Sequence, residues 1–268
     1  MPRWQSDADV QSKTTLLYVS DLISGTPAVS PAVGTLPTDR LAYPHASPVF
    51  PSGYEDWSKG IDKDIVRWTD WFTDWLFCSA AANDCRIVPV SFPFSRFFCD
   101  VERLMDDPLE SIGQGIVYTD FGPNHRKISA DEMLVLRNRF YVPHRDRLQT
   151  WLSPSTFLVD CHAFPADLSD VDICLGTNED WSLPADGLLH AIESTFSSHG
   201  YKVGLNNPYA NSISPEMPFN YHSLMMEVNK KVYMQNETEL AYTLAQKLIA
   251  ALSDAYDAIL GYGNDQHS

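Results

Sequence analysis

Leu158-Val159-Asp160-Cys161-His162 is an apolar, partly β-branched run that carries straight into an acid and a histidine. A strand buried on both faces of a parallel sheet reads this way, since helices cover it above and below and leave no wet face to alternate with. Open α/β sheets keep their ligand sites at the carboxyl ends of the strands. The run therefore predicts a strand over residues 156–161 that delivers His162 to such an edge. Asp160 and His162, two residues apart, point to the same side. Three other pieces stand in similar strand-end or helix-start settings and could converge on them: Pro44-His45, Thr69-Asp70 and Glu227.

Outward from this strand the pattern alternates. Strands are expected over 41–43, 86–90, 96–101, 171–175, 201–205 and 223–228. Helices are expected from near Thr69, over 129–152, over 184–199 and over 237–260, the last stopped by Gly261. Ser129-Ala-Asp-Glu132 has the form of a capping box. Trp68, Trp71, Phe72, Trp75 and Leu76 recur at helical spacing and read as core. Strands alternating with helices argue for an α/β fold, a single domain with a mostly parallel central sheet flanked by helices. Residues 1–40, rich in Ser, Pro, Thr and Asp, read as an N-terminal arm or hairpin with a short strand near 16–19, and the domain proper begins at 41.

Composition narrows the function. The 268 residues carry 19 basic and 35 acidic side chains, a net charge of -16, and 44% hydrophobic residues. Such a surface repels phosphate backbones, which argues against a nucleic-acid partner. No apolar run approaches the roughly 18 residues that span a bilayer, and the N-terminus lacks a signal-peptide pattern, so no membrane partner and a cytoplasmic setting are expected. The five cysteines show no paired zinc spacing, and four of them sit in apolar contexts as small hydrophobes. The oligomeric state is not legible.

Taken singly, the chemical residues have plain readings. His45 could be a loop histidine and Asp70 an ordinary helix cap. Glu227 is harder to explain away, because the apolar strand Leu224-Met-Met-Glu-Val228 should not carry an unanswered acid. Within residues 95–103, Arg96 and Arg103 flank Asp100 and Glu102. They are either internal ion pairs or a guanidinium fork for a substrate carboxylate. No glycine-rich phosphate loop and no Gly-x-Ser-x-Gly elbow is present.

The order of these pieces resembles the N-formylglutamate amidohydrolase family, a branch of the zinc carboxypeptidase-like hydrolases. The motifs carrying the resemblance run from about 41 to 234. They are Pro44-His45-Ala46-Ser47 through Pro51, Thr69-Asp70-Trp71, and Ser95-Arg96 through Asp100-Val-Glu102-Arg103. Tyr141-Val-Pro-His144, Asp160-Cys-His162 and Asp172-Ile-Cys-Leu-Gly176 follow, then Asn206-Asn207-Pro-Tyr209, His222 through Glu227-Val-Asn229, and Val232-Tyr-Met234. Ala46 and Ser47 depart from the usual Ser-Gly. Asn211-Ser212 stands where Gly-Gly is common, and Glu102 where Asn often precedes the arginine.

The resemblance implies a zinc-exopeptidase or phosphorylase/hydrolase-like fold with zinc held by His45, Asp70 and His162 and Glu227 as general base. Arg103 and Arg96 would hold the substrate carboxylate, with Asn207, His222 and His144 as further substrate-binding residues. Asp160 then becomes a partner of His162 rather than a ligand. The implied substrate is a small anionic N-acyl amino acid such as N-formylglutamate. A deacylase or small-peptide carboxypeptidase of the same fold, and a metal-free binding protein, are the alternatives.

Overall fold

The computed structural model describes residues 38–265 apart from 83 and 123, so the strand expected near 16–19 and most of the N-terminal arm lie outside the described residues. The sheet is built from β1 (Thr38–Tyr43), β2 (Val88–Ser91), β5 (Thr156–Phe164), β6 (Ile173–Gly176), β7 (Val203–Leu205) and β8 (His222–Asn229). A separate small hairpin joins β3 (Asp120–Phe121) to β4 (Asn124–His125). The six-stranded order is β2-β1-β5-β8-β6-β7, and every pairing is parallel except β6 against β8. This is the mostly parallel α/β sheet that the sequence pattern predicts.

β5 is buried along all nine residues, as a central strand covered on both faces must be. Its period of two divides the work. Phe157, Val159, Cys161 and Ala163 join Leu41, Tyr43, Leu224, Met226 and Val228 in the main core. That core packs under α2 (Thr73–Ala80), α5 (Asp186–Ser198) and α6 (Tyr242–Asp265), with α1 (Asp62–Trp68) running just ahead of α2. The alternate residues Asp160 and His162 on β5, with Met225 and Glu227 on β8, face the other way. The register sets Asp160 beside Met225 and His162 beside Glu227. A one-residue slip would turn this acid–histidine set into the core.

Several expected elements differ. Residues 96–101 form no strand: Ser95 O accepts from the N–H groups of Phe98 and Cys99, making a turn that buries Phe97, Phe98 and Asp100. No helix starts at Thr69; α1 ends at Trp68 and α2 begins at Thr73. The 129–152 helix starts where expected, with Ser129 Oγ accepting from Glu132 N at 3.2 Å. It runs as α3 (Ala130–Leu136), a π-helical turn (Arg137–Tyr141) and α4 (Val142–Thr150). Pro143 offers no N–H to the ladder, which loosens the turn before it. The last helix starts at Tyr242 rather than 237, because Asn236 Oδ1 takes the N–H groups of Thr238 and Glu239 into a turn, and it runs through Gly261. No helix among the described residues is long and apolar enough to cross a membrane.

Candidate active site

The chemistry collects at the carboxyl ends of β1, β5 and β8. β1 runs through Tyr43 into Pro44-His45, and His45 O accepts from the Asp70 N–H at 3.1 Å, which joins the two loops. The Asp70 carboxylate caps no helix: α2 has no side-chain cap, and Phe72 before it is left-handed at φ 64°. A non-glycine residue held there is strained, and such strain collects at functional sites. The carboxylate turns instead toward two buried imidazoles, whose centroids are 5.0 Å apart.

The two rings are arranged alike. His45 Nε2 donates to Asp100 Oδ1 at 2.8 Å, while its Nδ1 is buried without a hydrogen-bond partner, 3.8 Å from Asp70 Oδ2. His162 Nε2 donates to Asp160 Oδ1 at 3.0 Å, and its Nδ1 lies 3.0 Å from the same Asp70 oxygen. Asp160 reaches further, since its Oδ2 accepts from the Ile213 N–H at 3.0 Å. Each ring thus has one nitrogen fixed by a carboxylate and the other turned toward Asp70, as metal-binding histidines commonly are. Glu102 sits on the opposite side, 3.5 Å from each Nε2, and donor atoms of His45, Glu102 and His162 lie within 4.8 Å of one another.

The field is strongly coupled. Burial alone would depress the His162 ring, yet the charges of Asp160 and Glu102 and its carboxylate hydrogen bonds raise it well above the ordinary imidazole range. Burial likewise opposes ionisation of Asp70 and Asp100. The His162 hydrogen bond and charge hold Asp70 low nonetheless, and the His45 and Arg96 charges do so for Asp100. Glu227, 8% exposed and beside His162 across the ladder, has its Oε2 unpartnered. Burial, reinforced by Asp70 and Glu102 against the opposing pull of His162, pushes its carboxyl up to about 8.

A cavity of about 680 Å³ opens here, and His45, Asp70, His162, Glu227, Arg96 and Arg103 all line it. Both arginines meet Asp100 Oδ2, at 3.3 and 3.4 Å, and the Tyr118 hydroxyl donates to the same oxygen at 3.0 Å. The internal ion pairing read from residues 95–103 is present, and both guanidinium-bearing residues also line the cavity wall.

The other expected substrate residues are not brought to this cavity. His144 on α4 is buried edge-on to Phe92 at 5.4 Å, and burial, then Arg145 and Arg147, push its ring down to about 3. His222 opens β8 at the far end from Glu227, with Nδ1 donating to Leu183 O. Asn207 precedes the loop whose residues from Tyr209 to Ser214 form a wall of the cavity. That loop comes close because β6 ends in Gly176, where a Cβ would stand 2.6 Å from Asn211 O. Sequence reasoning missed the clamping role of Asp100 and any role for Tyr118. Asp100 was visible only as an ion-pair partner, and nothing marked Tyr118.

Fold and site together define a mostly parallel α/β protein with a buried acid–histidine cluster in a cavity at the carboxyl ends of its strands. The family model described as N-formylglutamate amidohydrolase matches residues 41–234, and the chain belongs to that family. It is similar to the crystal structure of N-formylglutamate amidohydrolase from Ralstonia eutropha JMP134, at 18% identity and a TM-score of 0.68, covering 87% of this chain and 96% of that one. It is also similar to gene product Atu2144 from Agrobacterium tumefaciens, at 18% identity and a TM-score of 0.61, covering 83% and 92%. At these identities the likeness shows the fold. No curated protein matches the chain.

Proposed function

We propose that the protein hydrolyses the amide of an N-formyl or N-acyl amino acid, in the manner of N-formylglutamate deformylation, with a zinc ion held by His45, Asp70 and His162. The observation that carries this reading is the buried, unpartnered Nδ1 of His45 beside Asp70. A buried imidazole nitrogen without a partner is costly, and a divalent cation would answer it. Two neutral imidazoles and one carboxylate, with room for a further ligand, suit catalytic zinc. Glu102 offers a rival position, but Asp100 and Asp160 already occupy the Nε2 atoms it faces. Asp70 is therefore assigned as the ligand and Glu102 as a wall of the substrate pocket.

Zinc at this position would supply Lewis acidity and make water a competent nucleophile near neutral pH. Glu227, the unpaired carboxyl beside His162, takes the proton of the attacking water and passes it to the leaving nitrogen. Arg103 and Arg96 bind the carboxylate of the amino-acid half and fix the scissile amide against Glu227. Asp100 and Asp160 each fix the Nε2 of one ring and so leave both Nδ1 atoms turned toward Asp70.

The test is the release of formate or a short carboxylate from N-acyl amino acids by zinc-loaded protein. Glu227→Gln is expected to keep its zinc and lose about 10²–10⁴-fold in turnover. Activity that survives complete chelation, or a Glu227→Gln variant that turns over like the parent, would count against the proposal.

A further inference from the structure

The cavity wall beside the two arginines carries an apolar cluster. Phe97 follows Arg96, Leu104 follows Arg103, and the Tyr118 hydroxyl is within 3.5 Å of Arg103 Nη2. Phe97 and Tyr118 meet edge-on at 5.8 Å, Phe121 closes on Phe97 at 4.8 Å, and Trp68 packs with them. All five line the cavity, and Leu104 at its rim is 54% exposed. The surface next to the carboxylate anchor is thus built to take an aromatic or aliphatic group.

Beyond the arginine pair, the nearby cations Arg126 and Lys230 are already engaged by backbone carbonyls and offer little to a second carboxylate. Both arginines share Asp100, and Arg103 Nη1 also faces Asp107 at 3.8 Å. Arg126, close by, donates to three carbonyls, those of Phe97, Tyr118 and Trp57. Lys230 is buried with its Nζ donating to Arg67 O. Glu102 and Asp107, which flank Arg103 in this lining, are carboxylates as well, so a glutamate side chain placed against this wall would meet like charge. The volume, about 680 Å³, is that of sites for drug-sized ligands, roughly 300–1,000 Å³, and is roomier than a formylated glutamate requires.

We propose that the site selects N-acyl amino acids bearing a single carboxylate and an apolar or aromatic side chain, in preference to dicarboxylic N-acyl glutamate. The inference rests on the amide-hydrolase reading above. The arginine pair takes the one α-carboxylate, and the side chain lies on Trp68, Leu104 and Phe121, which the buried Phe97 and Tyr118 back.

The experiment compares N-formyl-L-phenylalanine with N-formyl-L-glutamate on zinc-loaded full-length protein, by kcat/KM and by calorimetric binding to Glu227→Gln. Phenylalanine favoured by tenfold or more in both supports the inference. Equal or better use and binding of the glutamate compound overturns it while leaving the hydrolase reading intact. Tighter binding of the phenylalanine compound with neither compound cleaved sinks the hydrolase reading and upholds the selectivity. Leu104→Arg, at the exposed rim, is expected to move the kcat/KM ratio at least about fivefold toward glutamate, and an unmoved ratio counts against this wall as the side-chain site.

Discussion

Glu227 is an acid kept near neutrality by its surroundings, and this has a measurable consequence for stability. Its carboxyl, pushed up to about 8 in the folded chain, lies above the ordinary glutamate range. A raised carboxyl stabilises the fold most fully below the unfolded-state pKa and loses that contribution as pH rises through the folded one. Metal-free protein is therefore expected to lose thermal stability between about pH 5 and 8. Glu227→Gln should flatten the slope and melt higher than the parent near pH 8, by at least the 2–4 °C or so that about 1 kcal/mol gives at this size. Parallel melting curves across that range would contradict the burial argument. The acid was legible in the sequence because an apolar strand had no other use for it. The remoteness of His222 was legible from strand parity, although the family resemblance set it among the substrate residues. It lies an odd five residues from Glu227 in one strand, which puts it on the opposite face and about 17 Å along. Asp100 was hidden for a different reason: from the sequence it answers Arg103 as readily as it answers His45.

The helices and strands divide between those that frame the site and those that only support the fold. β5 and β8 were readable as near-continuous apolar runs, and their parallel register sets His162 beside Glu227. The turn over 95–103 was not readable. Its apolar residues look like a strand, but the ion cluster around Asp100 and the Ser95 O hydrogen bonds fold it back. The break between α1 and α2 was equally hidden, because Asp70 resembles a helix cap until its carboxylate is seen between two imidazoles. By contrast, the capping signal at Ser129 is real, and α3 holds none of the proposed chemistry. Ser129→Ala should cost about 1 kcal/mol of stability and leave kcat and KM unchanged. A change in turnover without a fall in melting temperature would show that the α3 end communicates with the cavity.

At the level of the whole chain, an acidic surface surrounds a cavity whose few cations are already paired. The net charge of -16 opposes anionic ligands at long range, so their capture depends on local groups, the arginine pair and the proposed metal. The sequence conveyed the parallel sheet, the ordered motifs and the converging histidines. It did not convey which carboxylate faces which imidazole nitrogen, because that follows from side-chain direction after folding. The deciding measurement is zinc affinity by equilibrium dialysis in Asp70→Asn and Glu102→Gln beside the parent, with turnover followed in the same samples. Parent and Glu102→Gln are expected to bind one zinc per chain with comparable affinity, and Asp70→Asn to lose both zinc and turnover. Retention of zinc by Asp70→Asn with its loss from Glu102→Gln would place the metal on the Nε2 side and contradict the assignment made here.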